Sequence, residues 1–215
     1  MATERQTPPC FIVMEGIDGA GKTTQMHLLA EALVQAGRKV HTTCEPTTLP
    51  SGVAIREALA GKGGERTVCQ MAAMFALDRI NHNVHPTEGI AAKLAAGYDV
   101  LCDRYYYSSL AYQGSLPRNA AWVRSLNEEC PDIRHPDLCI FLDLTPDESM
   151  ERIARGRTTR EIYETADQLM RFRETFFSVL DSLGERDRIV RVCAAGTPEE
   201  VAARVRDAVS TTLRI

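Results

Sequence analysis

Between an apolar run and a helix-like pattern, the stretch MEGIDGAGKTTQM (residues 14–26) places three glycines, a lysine and two threonines. So bare a backbone lets several main-chain N–H groups converge on one anion, because glycine lacks the Cβ that would obstruct them and tolerates unusual backbone angles. Residues 16–23, GIDGAGKT, satisfy G-x-x-x-x-G-K-[ST], with an apolar strand before and an amphipathic helix after. That is a P-loop, a cradle for a triphosphate at the positive end of a helix. The expected nucleotide-binding residues are Gly16, Asp18, Gly19, Ala20, Gly21, Lys22, Thr23 and Thr24. Lys22 would serve the β and γ phosphates, and the Thr23 hydroxyl would serve Mg²⁺.

The rest of the chain narrows the chemistry. A guanine-nucleotide switch carries an N-K-x-D segment, and none is present. A phosphoryl transferase must spread positive charge around a migrating phosphoryl group. RGRTTR, with Arg155, Arg157 and Arg160, suits a lid over about 154–162 that supplies it; a solvated basic loop is the alternative. Asp103 and Arg104 end an apolar run, where ligands bind in open parallel sheets. A structural ion pair is the alternative for these two.

Such residues need a scaffold. Strand-like runs occur at 10–15, 39–44, 98–103, 138–144 and 188–194, separated by helical patterns. This alternation predicts an α/β fold, a parallel sheet with helices on both faces. Met26, Leu29, Ala30 and Leu33 follow the i, i+3, i+4, i+7 rule, and Gly37 offers a stop. TPDE at 145–148 and TPEE at 197–200 read as capping boxes with proline at the first helical position. GKGGERT (61–67) reads as a glycine-rich turn, and Trp122 as a packing residue in a helix over 119–129. One domain over 1–215, with a flexible tail over 1–9, fits the length.

Composition excludes other classes. A net charge of −4 argues against a general affinity for nucleic-acid backbones. Seven cysteines without a C-x-x-C pair suggest neither a disulfide framework nor a zinc site, and reduced thiols fit a cytoplasmic protein. Neither a signal-peptide core nor an 18-residue apolar run is found, so no membrane association is expected. His82 and His85 stand i, i+3, but no nearby carboxylate in sequence completes a metal set.

EGIDGAGKTTQ (15–25), EPTTLPSGVAIREAL (45–59), MFALDR (74–79), DRYYYSSLAYQG (103–114), PDLCIFLDLTP (136–146) and REIYE (160–164) together resemble thymidylate kinase. The resemblance runs in family order over nearly the whole chain. It implies a five-stranded parallel sheet, a homodimer, and transfer of the ATP γ-phosphate to dTMP. Asp18 would bind the acceptor's 3′-hydroxyl; an Asx-turn is its alternative. Phe75 would stack on thymine, Arg79 would reach the base edge from the same helix face, and a core aromatic is the alternative for Phe75. Asp103 would hold Mg²⁺ through water, and Arg104 would grip the acceptor phosphate. Ser108 and Ser109 would face base and phosphate, Tyr112 would sit against sugar C2′, and Tyr163 and Glu164 match the segment after the lid.

Some family members carry a catalytic arginine at the position of Gly19, whereas others use the lid. Gly19 together with the basic lid resembles the second type, with Arg160 and Arg157 as catalytic candidates beside Lys22 and Asp18. One departure stands out, since the family's arginine beside the Glu-Pro pair is replaced by Cys44, Thr47 and Thr48 around Glu45–Pro46. Acceptor phosphate would then rest on Arg104 and Arg79, with Arg56 a further candidate. Other (deoxy)pyrimidine monophosphate kinases, a thymidine kinase and a non-catalytic ATP-binding module remain the alternatives.

Overall fold

A computed structural model describes residues 8–115, 117–156 and 165–215. Among them run five parallel strands, β1 (Phe11–Glu15), β2 (Lys39–Cys44), β3 (Tyr98–Asp103), β4 (Leu138–Asp143) and β5 (Ile189–Cys193), in the order β2-β3-β1-β4-β5. Every residue of β1 is buried, as is all of β4 except Asp143. The edge strands β2 and β5 are more exposed, with no residue of β2 and only Val192 of β5 buried, because one flank of each lacks a neighbour. Near-continuous hydrophobicity thus marks the inner strands, as burial on both faces requires.

The helices are α1 (Lys22–Gln35), α2 (Pro50–Leu59), α3 (Val68–Val84), α4 (Ile90–Ala95), α5 (Tyr106–Tyr112), α6 (Pro117–Glu128), α7 (Pro146–Gly156), α8 (Ala166–Leu183) and α9 (Pro198–Leu213). They cover both faces of the sheet: α1 packs with α9, and α5 packs with α3, α6 and α8. Helix α1 stops as expected. Gly37 takes φ 82°, its N–H donates to Val34 O at 2.9 Å, and Arg38 N–H donates to Leu33 O at 3.0 Å. Thr197 and Glu200 form the expected reciprocal cap on α9. Thr67 with Gln70 and Thr165 with Gln168 do the same for α3 and α8, with glutamine in the acidic role.

Some expectations shift. Trp122 is 40% exposed, because α6 turns the next residue, Val123, into the core. Helix α7 continues through Gly156, three residues into the expected lid, and residues 157–164 lie outside the described part. Within the expected tail, Pro8 already accepts a hydrogen bond from Arg38.

The register fixes where chemistry can occur. Met14 of β1 and Cys44 of β2 both pair with Asp103 of β3, so three strands end level. The chain leaves β1 for one side of the sheet and later crosses to the other, so the crevice beyond β1 is where such sheets bind ligands.

Candidate active site

The P-loop leaves β1 at Gly16 and enters α1 at Lys22. Gly19 takes φ 77°, and a Cβ there would lie 2.8 Å from Ser149 O. Any side chain at position 19, an arginine included, would therefore force the loop or α7 to shift. Ser149 of α7 in turn donates its hydroxyl to Asp18 O and ties the loop to that helix.

Lys22 is 8% exposed and folds back, donating to Gly16 O at 3.1 Å and Ile17 O at 3.2 Å. Burial, reinforced by Arg104, lowers its pKa to about 8 against the opposing pull of Asp103 and Asp18. Thr23 Oγ1 donates to Asp103 Oδ2 at 3.2 Å, whereas Asp103 Oδ1 is buried with no partner. A hydroxyl beside a carboxylate with an orphaned oxygen fits a hard divalent cation, so these two residues could hold Mg²⁺.

Arg104 does not pair with Asp103. It adopts φ 69°, a left-handed conformation that costs a residue with a side chain about 1–2 kcal/mol. That turn sends its guanidinium across β1, where Nη1 donates to Ser108 Oγ at 3.2 Å and Gly16 O at 3.4 Å while Nη2 pairs with Asp18. Residues 86 positions apart thus meet at the P-loop.

A cavity of about 850 Å³ joins these groups, lined by residues 18–25, Cys44, Glu45, Asp103, Arg104, Arg152, Ile153, Arg155, Gly196, Pro198 and Val201. Its walls carry cations above a glycine-rich floor, which suits a polyanion and a second anion beside it. The family model for thymidylate kinase matches residues 14–205. The chain belongs to the thymidylate kinase family. It is 36% identical over 189 residues to a probable thymidylate kinase of Pyrococcus horikoshii, covering 86% of this chain and 89% of that one. It is 38% identical to a probable thymidylate kinase of Thermococcus onnurineus over 86% and 90% of the two chains. With a thymidylate kinase of Synechococcus sp. it shares 36% identity over 91% and 92%.

Not every residue nominated by the family resemblance lines the cavity. Arg79 is 1% exposed behind the wall, and its guanidinium bonds Glu45 through Nε at 2.8 Å and Nη2 at 2.6 Å. Its Nη1 serves Ser109 Oγ at 3.2 Å and Asn127 Oδ1. A buried carboxylate demands such a partner, so most of Arg79's donors are spent on Glu45 and its neighbours. Ser109 is buried against Arg79 and Ser108 against Arg104 and Glu15, whereas Phe75 is half-buried outside the contiguous core, one turn before Arg79 on α3. Tyr112 packs edge-on against Phe172 with ring centroids 4.5 Å apart and lies under Arg104 at 5.8 Å. Arg157, Arg160, Tyr163 and Glu164 lie outside the described residues.

The segment where the family arginine is missing is pinned in another way. Asp78 accepts from Thr47 N at 2.8 Å, Thr47 Oγ1 at 2.6 Å and Ser51 Oγ at 2.7 Å. Arg56 lies exposed over the same corner, donating to Pro46 O and Thr47 O, with Nη2 4.0 Å from Cys44 Sγ. His82 is held by Glu45 Oε1 at 3.0 Å and Thr43 Oγ1 at 2.8 Å, so a carboxylate 37 residues away meets a histidine that local sequence left alone. Among the described residues no group of three or more His, Cys, Asp and Glu is placed to hold a metal.

Arg152 was missed by sequence reading. It lines the cavity opposite Gly21 and donates to Ala194 O at 2.9 Å and Gly196 O at 3.3 Å. A signal existed, since Arg152 stands i+3 from Ser149 and shares the helix face that meets the P-loop.

Proposed function

We propose that this chain transfers the γ-phosphoryl group of ATP to dTMP, giving dTDP and ADP. The observation that carries the reading is the meeting of Arg104 and Asp18, which sets an acceptor-side cation directly against the P-loop. P-loop amides would cradle the triphosphate, and Lys22 would leave the Gly16 and Ile17 carbonyls for the β and γ oxygens. Arg104 would exchange Asp18 for the acceptor phosphate, freeing that carboxylate for the 3′-hydroxyl. Mg²⁺ held by Thr23 and Asp103 would neutralise charge on the transferring group. No strong general base is required, because the acceptor phosphate is already an anionic nucleophile.

Arg160 or Arg157 would complete the cationic shell from the lid, Tyr163 would border the acceptor, and Phe75, Arg79, Ser108, Ser109 and Tyr112 would shape its base and sugar pocket, in keeping with the family. The protein would act as a single kinase domain in a cytoplasmic homodimer, on small nucleotides rather than nucleic acid or membranes. Among the described residues no helix is long and apolar enough to cross a membrane.

Steady-state rates with dTMP, dUMP, UMP, dCMP and thymidine test the reading. Highest kcat/KM with dTMP is expected. Preference for a ribonucleotide would remove the role given to Tyr112, preference for thymidine would make the protein a nucleoside kinase, and ATP binding with no acceptor turnover would make it a binding module.

A further inference from the structure

Glu15 carries no signature of chemistry in the sequence, and it does not line the cavity. It closes β1 and is fully buried. Its Oε1 accepts the N–H of Tyr105 at 2.9 Å and of Ser108 at 3.1 Å, while Oε2 accepts the Ser108 hydroxyl at 2.8 Å. These N–H groups belong to the start of α5, where the N-cap residue Tyr105 makes no side-chain cap of its own. A helix leaves its first amides without internal partners. Glu15, on β1 and 90 residues earlier in the chain, supplies that partner for Tyr105 N–H and shares Ser108 N–H with Tyr105 O, which lies 3.1 Å from it.

The residue between β3 and this cap is Arg104, in its left-handed turn. Met14 O accepts the Arg104 N–H at 3.0 Å, Glu15 takes the next N–H, and Gly16 O accepts from the guanidinium. Three consecutive residues leading into the P-loop thus hold the backbone and the side chain of Arg104. Burial raises the Glu15 pKa, while Arg104, the Tyr105 N–H and the Ser108 hydroxyl pull it back toward the anion.

We infer that Glu15 is a positioning residue for the acceptor side: it locks the left-handed turn at Arg104 and thereby aims the guanidinium at the acceptor phosphate. This rests on the proposed role of Arg104. Because the brace starts from the strand that ends in the P-loop, it also fixes the distance between the two phosphate sites.

The test measures kcat, KM for dTMP and KM for ATP in Glu15→Gln, Glu15→Met and Glu15→Asp, alongside Arg104→Lys, with thermal melts of each. Glu15→Gln keeps an acceptor for both N–H groups and a partner for Ser108, so its dTMP KM should stay within about threefold of wild type. Glu15→Met matches the length without the acceptors and should raise dTMP KM by about tenfold or more, leaving ATP KM within about twofold. Should Glu15→Met fail to fold, Glu15→Asp, one methylene short, carries the same expectation. A parallel rise in both KM values, or no change in dTMP KM, overturns the inference. If Arg104→Lys leaves dTMP KM unchanged, the grip itself is wrong; if it raises KM while the Glu15 variants do not, only the Glu15 role falls.

Discussion

Lys22 is the residue whose environment says most about activity. Its pKa near 8 follows from burial among protein atoms, so the free protein loses this cation above that pH. The kcat/KM for ATP should therefore fall as pH rises through about 8, while kcat falls later, because a bound triphosphate stabilises the ammonium; coincident profiles would remove the charge of Lys22 from binding. Lys22→Ala should lower kcat by about 100-fold or more with an unchanged circular dichroism spectrum, and wild-type turnover would exclude Lys22 from the mechanism. Arg160→Ala should reduce kcat more than it raises KM, as for a contact made in the transition state. A pure KM effect would place Arg160 in binding instead. Cys102 and Cys139 have no such role, because burial raises both thiols well above their ordinary pKa and keeps them protonated.

The elements hold these residues through their ends. Thr197 caps α9 by accepting from Glu200 N at 3.3 Å, so Thr197→Ala should destabilise by about 1 kcal/mol, read as a melting shift of about 2–4 °C with unchanged activity at 25 °C. The turn from β1 into α1 is stricter. Gly19→Ala must place a Cβ 2.8 Å from Ser149 O at positive φ, and weakened ATP binding is expected by fluorescence titration. Unchanged binding would mean that the P-loop relaxes freely from this conformation. By the same crowding, the proposed reaction would draw its cation for the transferring phosphoryl group from elsewhere than position 19. Strand positions were legible to within a residue, since inner strands announce themselves by unbroken hydrophobicity. The end of α7 and the exposure of Trp122 were not, because both depend on which face a neighbouring element covers.

At the scale of the whole molecule, the end of the sheet away from the cavity carries its own electrostatic lock. Asp99, 1% exposed, accepts from Cys10 N at 2.9 Å and from Arg38, which also reaches Pro8 O. Burial opposes ionisation of Asp99, yet Arg38 and the Cys10 N–H hold its pKa below the ordinary carboxyl value. The stability it contributes is full above the unfolded pKa of about 3.9 and is lost as pH falls through the lower folded value. Urea midpoints of wild type and Asp99→Asn should differ at pH 7 and converge below about pH 4; a constant gap would assign the effect to packing. The glycine-rich loop between β1 and α1, the alternation of strands with helices and the family could all be taken from the sequence. Each is written in contiguous residues or in short-period hydrophobicity, which local sterics turn directly into backbone shape. The pairing of Arg104 with Asp18, the burial of Arg79 against Glu45, and the cap that Glu15 sets on α5 were decided by the tertiary structure alone. Their partners stand 86, 34 and 90 residues apart, and a charge or a carboxylate finds such a partner only after the sheet has brought its strand ends level.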